Sequence, residues 1–377
     1  MAEPLKDMYH ESFLRDFGAK VKGAYSAFDD KGFVAAVVSD SWEELKLKER
    51  IRKIAETLGR FLPPQYEDAL AVLYAIDESC IGFPYLFFPD FVEVYGQEES
   101  NWDRSMEALE RFTSKSSAEF AVRPFLLRDP ERMMRKMELW SRHENEHVRR
   151  LASEGCRPRL PWGQSLPMFK RDPAPIIPVL ETLKADPSLY VRKSVANNLN
   201  DVAKDHPQIV LDIVRQWIGQ RAETDWIVRH GCRNLIRQAV PEALELFGYA
   251  GTAEGSGQSL FASASIQAAP DALRIGESCE LAYELVIKAS DEPVRIRIEY
   301  GVDFVKANGK TSRKLFLLSD KTVAGGSRLA SVRTHRFADL STRRHYPGEH
   351  RIVLTVNGVE AAHTIVQLEQ AQANEAQ

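Results

Sequence analysis

DPSLYVRKSVANNLNDVAKDHP, residues 186–207, decides the fold. Asp186-Pro187-Ser188 is a polar turn with a proline at a helix start. Val191, Val195, Leu199 and Val202 then fall at i, i+4, i+8 and i+11, one apolar stripe on a helix over 188–204. Lys193, Asn197, Asn200, Asp201 and Lys204 fall on the opposite side. The pattern recurs along the chain. Val148-Arg149, Val191-Arg192 and Val228-Arg229 stand 43 and 37 residues apart, after the turns HENE, ADPS and AETD. A shorter apolar helix precedes each, over 131–140, 174–184 and 208–218. Helix, turn, helix at about forty residues is the period of HEAT-like stacking, a curved slab lined by its second helices.

An earlier pair, 103–112 and 116–127 with Val122-Arg123, reads as a more tightly spaced unit. Residues 1–250 show almost no strand patterning; Leu47, Ile51, Ile54, Ala55 and Leu58 are typical of their helical spacing. The arginine of each Val-Arg pair lies six residues after His143, Asp186 or Glu223, a placement that ties neighbouring HEAT units together. Arg149, Arg192 and Arg229 are therefore read as structural. Arg150, Glu154 and Arg157 share a second face, and Arg229, Arg233 and Arg237 another.

After Phe247 the composition changes. AGTAEGSGQS, 250–259, is a Gly/Ser linker. Short alternating runs follow at 281–288, 294–300, 315–318, 351–356 and 363–368, with tight turns at NGK (308–310) and VNG (356–358). About 110 residues of this kind suggest an immunoglobulin-like sandwich without its disulfide, since only Cys279 lies there. The expected organisation is a HEAT-like α-solenoid over 1–249, a linker over 250–259, an all-β immunoglobulin-like sandwich over 260–369 and a disordered tail over 370–377.

Composition narrows the function classes. No run approaches the ~18 apolar residues of a membrane helix, and MAEPLKDMYHESFLRDFGAK lacks the apolar core of a signal peptide. The four cysteines are widely spaced and form no CxxC pair, so neither a zinc site nor a disulfide framework is expected, and a reducing cytoplasm fits. The net charge of −4 hides an asymmetry. Residues 1–110 carry 12 basic and 22 acidic side chains, residues 111–250 carry 23 and 17, and residues 251–377 carry 15 of each. A basic middle third on an acidic protein suggests a polyanionic partner, with solvated helix faces as the alternative.

SSAEFAVRPFL (116–126), NEHVRRLASEGCRPRLPWG (145–163), DPSLYVRKSVANNLNDVAKDHP (186–207) and WIVRHGCRNLI (226–236) resemble the AlkC branch of the bacterial DNA alkylation repair proteins. The likeness covers residues 1–250, and the sandwich matches members with an appended immunoglobulin-like domain. The resemblance implies a HEAT-repeat DNA glycosylase that removes cationic N-methylated bases, 3-methyladenine and 3-methylcytosine, from double-stranded DNA.

The residues suit that chemistry. A cationic base leaves readily, so the demand falls on a sugar that becomes oxocarbenium-like, which a nearby carboxylate stabilises. Glu154 is such a carboxylate, Trp162 offers an indole face to a cationic base, and Arg150, Arg157 and Arg159 can hold phosphates. Asp201 and Glu119, on the neighbouring second helices, are further candidates. Each has a plainer reading. Glu154 can neutralise Arg150 and Arg157 at i−4 and i+3, Trp162 can be a packing anchor, Asp201 can pair with Lys204 or Lys193, and Glu119 with Arg123. Lys193, Asn197, Arg233 and Arg237 are candidate DNA contacts, as are Arg343 and Arg344 in a basic loop region over 327–348. PDFVEVYG (89–96) reads as packing. No lysine stands out as a Schiff-base nucleophile, so the expected enzyme is monofunctional, free of metal and cofactor, monomeric, cytoplasmic and nucleoid-associated. The rival readings are a HEAT scaffold that binds DNA or a protein without catalysis, and a family member that binds abnormal DNA without excision.

Overall fold

A computed structural model describes residues 4–39, 41–249, 259–340 and 343–370. The chain divides into two compact units, Met1–Gly231 and Cys232–Gln377. Most of the proposed linker and all but the first residue of the proposed tail lie outside the described residues.

The named elements among the described residues of the first unit are all helices. The expected helix pairs are present as Pro130–Trp140 with Glu146–Gly155, Ile177–Leu183 with Leu189–Val202, and Pro207–Trp217 with Ala222–Gly231. Prolines open three of these helices in the first turn, where a missing N–H costs nothing. The second helices pack successively on one another, Glu146–Gly155 on Leu189–Val202 and that helix on Ala222–Gly231. Val148, Leu151, Val191, Val195, Leu199, Ile227 and Val228 are buried between them. Close approach requires Gly231, where an added Cβ would come within 3.1 Å of Leu199 Cβ.

Of the arginine ladder, Arg149 ties neighbouring helix pairs together, whereas the described bonds of Arg192 stay within its own turn. Arg149 donates to Asp186 Oδ2 at 2.7 Å and to the His143 carbonyl at 2.9 Å, joining one unit to the next. Arg192 donates to the carbonyls of Asp186 and Pro187, both at 2.8 Å.

Two expectations fail here. The earlier pair keeps its first helix, Trp102–Lys115, but 116–122 is turn, and its second helix runs only from Arg123 to Arg128. Pro124 fits only the first turn of a helix, so it fixes the start at Arg123. Arg229, Arg233 and Arg237 do not share one helix. Ala222–Gly231 ends at the Gly231–Cys232 step, and Arg233–Arg237 is a separate short helix of the second unit.

The second unit is a two-sheet sandwich of β1 (Phe261–Ala269), β2 (Ala272–Arg274), β3 (Ser278–Ile287), β4 (Val294–Val305), β5 (Thr311–Val323), β6 (Arg328–Arg336), β7 (Gly348–Val356) and β8 (Val359–Glu369). The sheets run β1-β3-β6 and β2-β8-β7-β4-β5. Their inner faces share a core of Leu281, Leu285, Ile296, Ile298, Val302, Phe337, Ile352, Leu354 and Val366. Asn357 and Gly358, both at positive φ, make the tight turn that pairs Val356 with Val359. The basic stretch 327–348 is not wholly loop. Arg328, Arg333 and Arg336 lie on β6, which among the described residues pairs only with β3 and is exposed along most of its length. An edge strand of that kind lacks the alternating burial by which sequence reveals strands.

Candidate active site

The 145–163 stretch builds the site. Asn145 caps the helix Glu146–Gly155 by accepting the His147 N–H at 2.8 Å. The helix stops at Cys156, and Pro158 and Pro161 carry the chain through a turn. Arg123 holds that turn from inside. Its guanidinium is fully buried and donates to the carbonyls of Gly155 at 2.9 Å, Arg157 at 3.0 Å and Gln164. Burial lowers its pKa to about 10. The turn ends on Trp162 at φ 62°, a conformation uncommon outside glycine, with its side chain 63% exposed. Lys48 donates to the Trp162 carbonyl at 3.0 Å and stands 4.5 Å from the centre of the Phe120 ring.

Beside this turn lies a cleft of about 430 Å³, lined by Glu119, Glu154, Arg150, Arg157, Ser117 and Trp162, with Phe83, Leu86, Phe120, Leu160, Pro161 and Tyr190 supplying apolar walls. The charged groups alternate in sign. Glu119 Oε2 accepts from Arg150 at 2.5 Å and from the Ser117 hydroxyl at 2.8 Å. Arg150 also faces Glu154 at 3.7 Å and lies over the Tyr190 ring at 4.8 Å. Arg157 donates to Glu154 Oε1 at 2.6 Å and to Asp201 Oδ2 at 2.9 Å. Lys204 takes Asp201 Oδ1 at 2.9 Å. Burial alone would depress both guanidiniums, yet Arg150 and Arg157 sit above the ordinary arginine pKa, because Glu119 and Glu154 flank the first and Glu154 and Asp201 the second. The arginines stay charged, and each is clamped between two carboxylates.

The structure brings Glu119, Glu154, Arg150, Arg157 and Trp162 to one cleft. Glu119 reaches it from the 116–122 turn rather than from a second helix. Asp201 belongs to the same ion-pair chain but is 1% exposed and not part of the cleft wall. Both of its oxygens are engaged, whereas these contacts engage one oxygen of each glutamate. Arg150 and Arg157 are bound to acids rather than presented to solvent, and Arg159 pairs with Asp205. Lys193 is exposed and Asn197 half-buried, and neither lines the cleft. Arg233, Arg237, Arg343 and Arg344 lie in the second unit. There Arg343 stacks over Phe304 at 4.3 Å. Sequence reading missed Phe83, Phe120, Ser117, Tyr190 and the role of Arg123. Tyr190 carried a signal, since Tyr190, Asn197 and Asp201 fall at i, i+7 and i+11 on one stripe.

The family model described as DNA alkylation repair enzyme matches residues 34–247. The chain belongs to the DNA alkylation repair enzyme family. A second model, the C-terminal Ig-like domain of the uncharacterised protein YhaZ, matches residues 262–370. The chain is 43% identical over 354 residues to the uncharacterized protein YhaZ of Bacillus subtilis (strain 168), covering 94% of this chain and 96% of that one. Among solved structures it resembles the Pseudomonas fluorescens alkylpurine DNA glycosylase AlkC bound to DNA containing an abasic site analog. The TM-score is 0.90 with 37% identity, covering 97% of this chain and 100% of that chain. The α-solenoid followed by an immunoglobulin-like sandwich is thus the architecture of an AlkC-like family member. No described helix is long and apolar enough to cross a membrane.

Proposed function

We propose that this protein is a monofunctional DNA glycosylase of alkylation base-excision repair. It hydrolyses the N-glycosidic bond of cationic N-methylated bases, 3-methyladenine and 3-methylcytosine, in double-stranded DNA and leaves an abasic site. The observation that carries the reading is the pair Glu119 and Glu154, each tied through one oxygen to a guanidinium and both lining a cleft whose rim is the exposed Trp162. The base arrives already cationic and departs neutral, so no acid is required. The sugar gains positive charge as the bond stretches, and the fixed carboxylates stabilise it and orient the attacking water. The aromatic wall attracts the cationic base. Asp201 acts through Arg157, holding the guanidinium that positions Glu154. Among the described residues no lysine lines the cleft, which suits hydrolysis rather than Schiff-base chemistry. Arg159, Lys193, Asn197, Arg233, Arg237, Arg343 and Arg344 are the proposed backbone contacts. Such an enzyme works as a cytoplasmic, nucleoid-associated monomer.

The test is base release from methylated genomic DNA, identified by mass spectrometry. Wild type should release cationic methylated bases. Glu154→Gln should lose about 10²–10³ of the rate, the usual cost of one preorganised electrostatic group, while keeping its affinity for DNA. A scaffold would release nothing and would tolerate both Glu154→Gln and Asp201→Asn.

A further inference from the structure

Two walls of the cleft meet on one side chain that belongs to neither. Lys48 lies on the helix Leu47–Phe61 and is not part of the cleft lining. Its Nζ donates to the Trp162 carbonyl at 3.0 Å, across 114 residues of sequence, and stands 4.5 Å from the centre of the Phe120 ring. Trp162, at φ 62°, ends one wall, and Phe120 adjoins Glu119 in the other. The helix that carries Lys48 packs on Phe87–Tyr95, which holds most of the PDFVEVYG stretch. Phe91 and Val92 of that stretch are core, but Asp90 is only 7% exposed and Glu93 is half-buried. Arg52, one turn after Lys48, pairs with Asp90 at 2.8 Å and with Glu93. The charged and titratable groups facing Asp90 are Arg52 and Lys48 from one helix, Glu93 from its own, and the buried Tyr9. Burial raises the Asp90 pKa to about 6, against the pull of Arg52 and Lys48. The folded pKa lies above the unfolded one, so ionisation of Asp90 costs stability above about pH 6. Maintenance of the fold does not account for such a carboxylate.

We propose that Lys48 is a positioning residue for base release: its ammonium clamps the Trp162 turn to the Phe120 wall, and Asp90, with Arg52 and Glu93, fixes the ammonium in place. Resting on the glycosylase reading, the clamp sets the spacing between the indole and Glu119. A non-glycine residue at positive φ persists only where its surroundings hold it, and the Trp162 carbonyl is held by this lysine. The same cation rests on an aromatic ring, so movement of either wall loosens the other. An exposed lysine has many rotamers to lose; the buried carboxylate behind it narrows them before DNA arrives.

The experiment uses the full chain and a duplex with one 3-methylcytosine, in single turnover with saturating enzyme. Lys48→Met should release the base about tenfold more slowly at saturation, the scale of a small misplacement, with DNA affinity and its salt dependence unchanged. Lys48→Arg keeps a charged donor that stacks on rings and should recover most of the rate. Asp90→Asn should also be slower, although its urea midpoint at pH 7.5 equals or exceeds that of wild type, because Arg52 retains Glu93. Trp162 emission, isolated by difference against Trp162→Phe, should lose anisotropy in Lys48→Met while circular dichroism is unaltered. A wild-type saturated rate in Lys48→Met or in Asp90→Asn overturns the clamp. So does a salt slope lowered by about one with an unchanged saturated rate, which marks Lys48 as a phosphate contact. A lowered urea midpoint in Asp90→Asn shows a packing role for the carboxylate and overturns it too. Absence of release by the wild type overturns the glycosylase reading itself, while the anisotropy of Trp162 still decides the clamp.

Discussion

Arg123→Met separates the turn that carries Trp162 from the acids it accompanies. The guanidinium is fully buried, has no carboxylate partner among the described ion pairs, and serves three carbonyls, those of Gly155, Arg157 and Gln164. Burial pulls its pKa well below the ordinary arginine value, to about 10. That displacement corresponds to roughly 3 kcal/mol opposing the buried charge. Each hydrogen bond from a charged donor contributes about 1.5–3 kcal/mol, and a buried acceptor left bare is destabilising on a similar scale. Three such bonds outweigh the burial of the charge and leave a net stabilisation of about 1–5 kcal/mol. Methionine fills the space and leaves the carbonyls bare.

Urea unfolding followed by far-ultraviolet circular dichroism should therefore show a loss in that range for the helical unit. The same substitution should lower base release, because Leu160, Pro161 and Trp162 form one side of the cleft and depend on the turn. Comparison with Trp162→Phe isolates the emission of this indole from the other five tryptophans. The Trp162 component should shift to the red as its carbonyl and ring lose their fixed position. An Arg123→Met protein within about 0.5 kcal/mol of wild type, the range of a neutral surface change, with an unshifted Trp162 component, would refute the account.

Two further outcomes follow from the sandwich. His335 is buried against Phe304, Phe316 and Phe337, and its pKa falls to about 4, first through burial and then through Arg343, His345, His350 and Lys314. The folded form therefore resists a proton that the unfolded chain accepts. Stability is full above about pH 6.5 and is lost as pH falls toward 4, by up to roughly 3 kcal/mol; urea midpoints of the second unit at pH 7.5 and 5 measure it, and His335→Phe should flatten the difference. Arg343→Glu/Arg344→Glu should weaken duplex binding and flatten its dependence on salt by about one or two released counterions, read by fluorescence anisotropy; an unchanged slope removes this loop from the DNA contacts.

Residue 201 shows how far the sequence could be read and where it stopped. The apolar stripe of 188–204 was legible because Val191, Val195, Leu199 and Val202 leave water on folding. The same stripe marks Asp201 as polar-side and therefore solvated by default. Yet Asn198, Asn200 and Asp201 are all buried, because the neighbouring helix and the turn after it pack over them: Arg157 meets Asp201, and the Ser153 carbonyl accepts from Asn198 at 2.8 Å. Burial of a polar face depends on a partner far away in sequence, and no periodicity reports it. Arg149 and Asp186 were legible for the opposite reason: their spacing repeats with the helix pair. The 116–122 turn was misread as helix although Pro124 carried the correction. β6 escaped notice because an exposed edge strand need not alternate.

The ion-pair chain explains why the acids must come as a set. From Glu119 through Arg150, Glu154, Arg157 and Asp201 to Lys204, the members alternate, and three carboxylates face three cations. Such a chain is neutral as it stands, which lets it be buried beside Leu160 and Phe120 without an uncompensated charge. Its ends differ. Lys204 is largely solvated, while the two glutamates border the cleft. On the proposed mechanism, a positive charge forming on the sugar meets the two glutamates at the cleft, while Asp201 holds Arg157 from behind the cleft wall. Deleting Asp201 does not remove a group from the cleft; it frees Arg157 to turn fully onto Glu154 and to compete with the sugar for it. Asp201→Asn should then slow base release with Glu154 intact, and Asp201→Asn/Arg157→Met should recover part of that loss. A double variant no faster than Asp201→Asn alone would show that Asp201 acts on the sugar directly, not through the guanidinium.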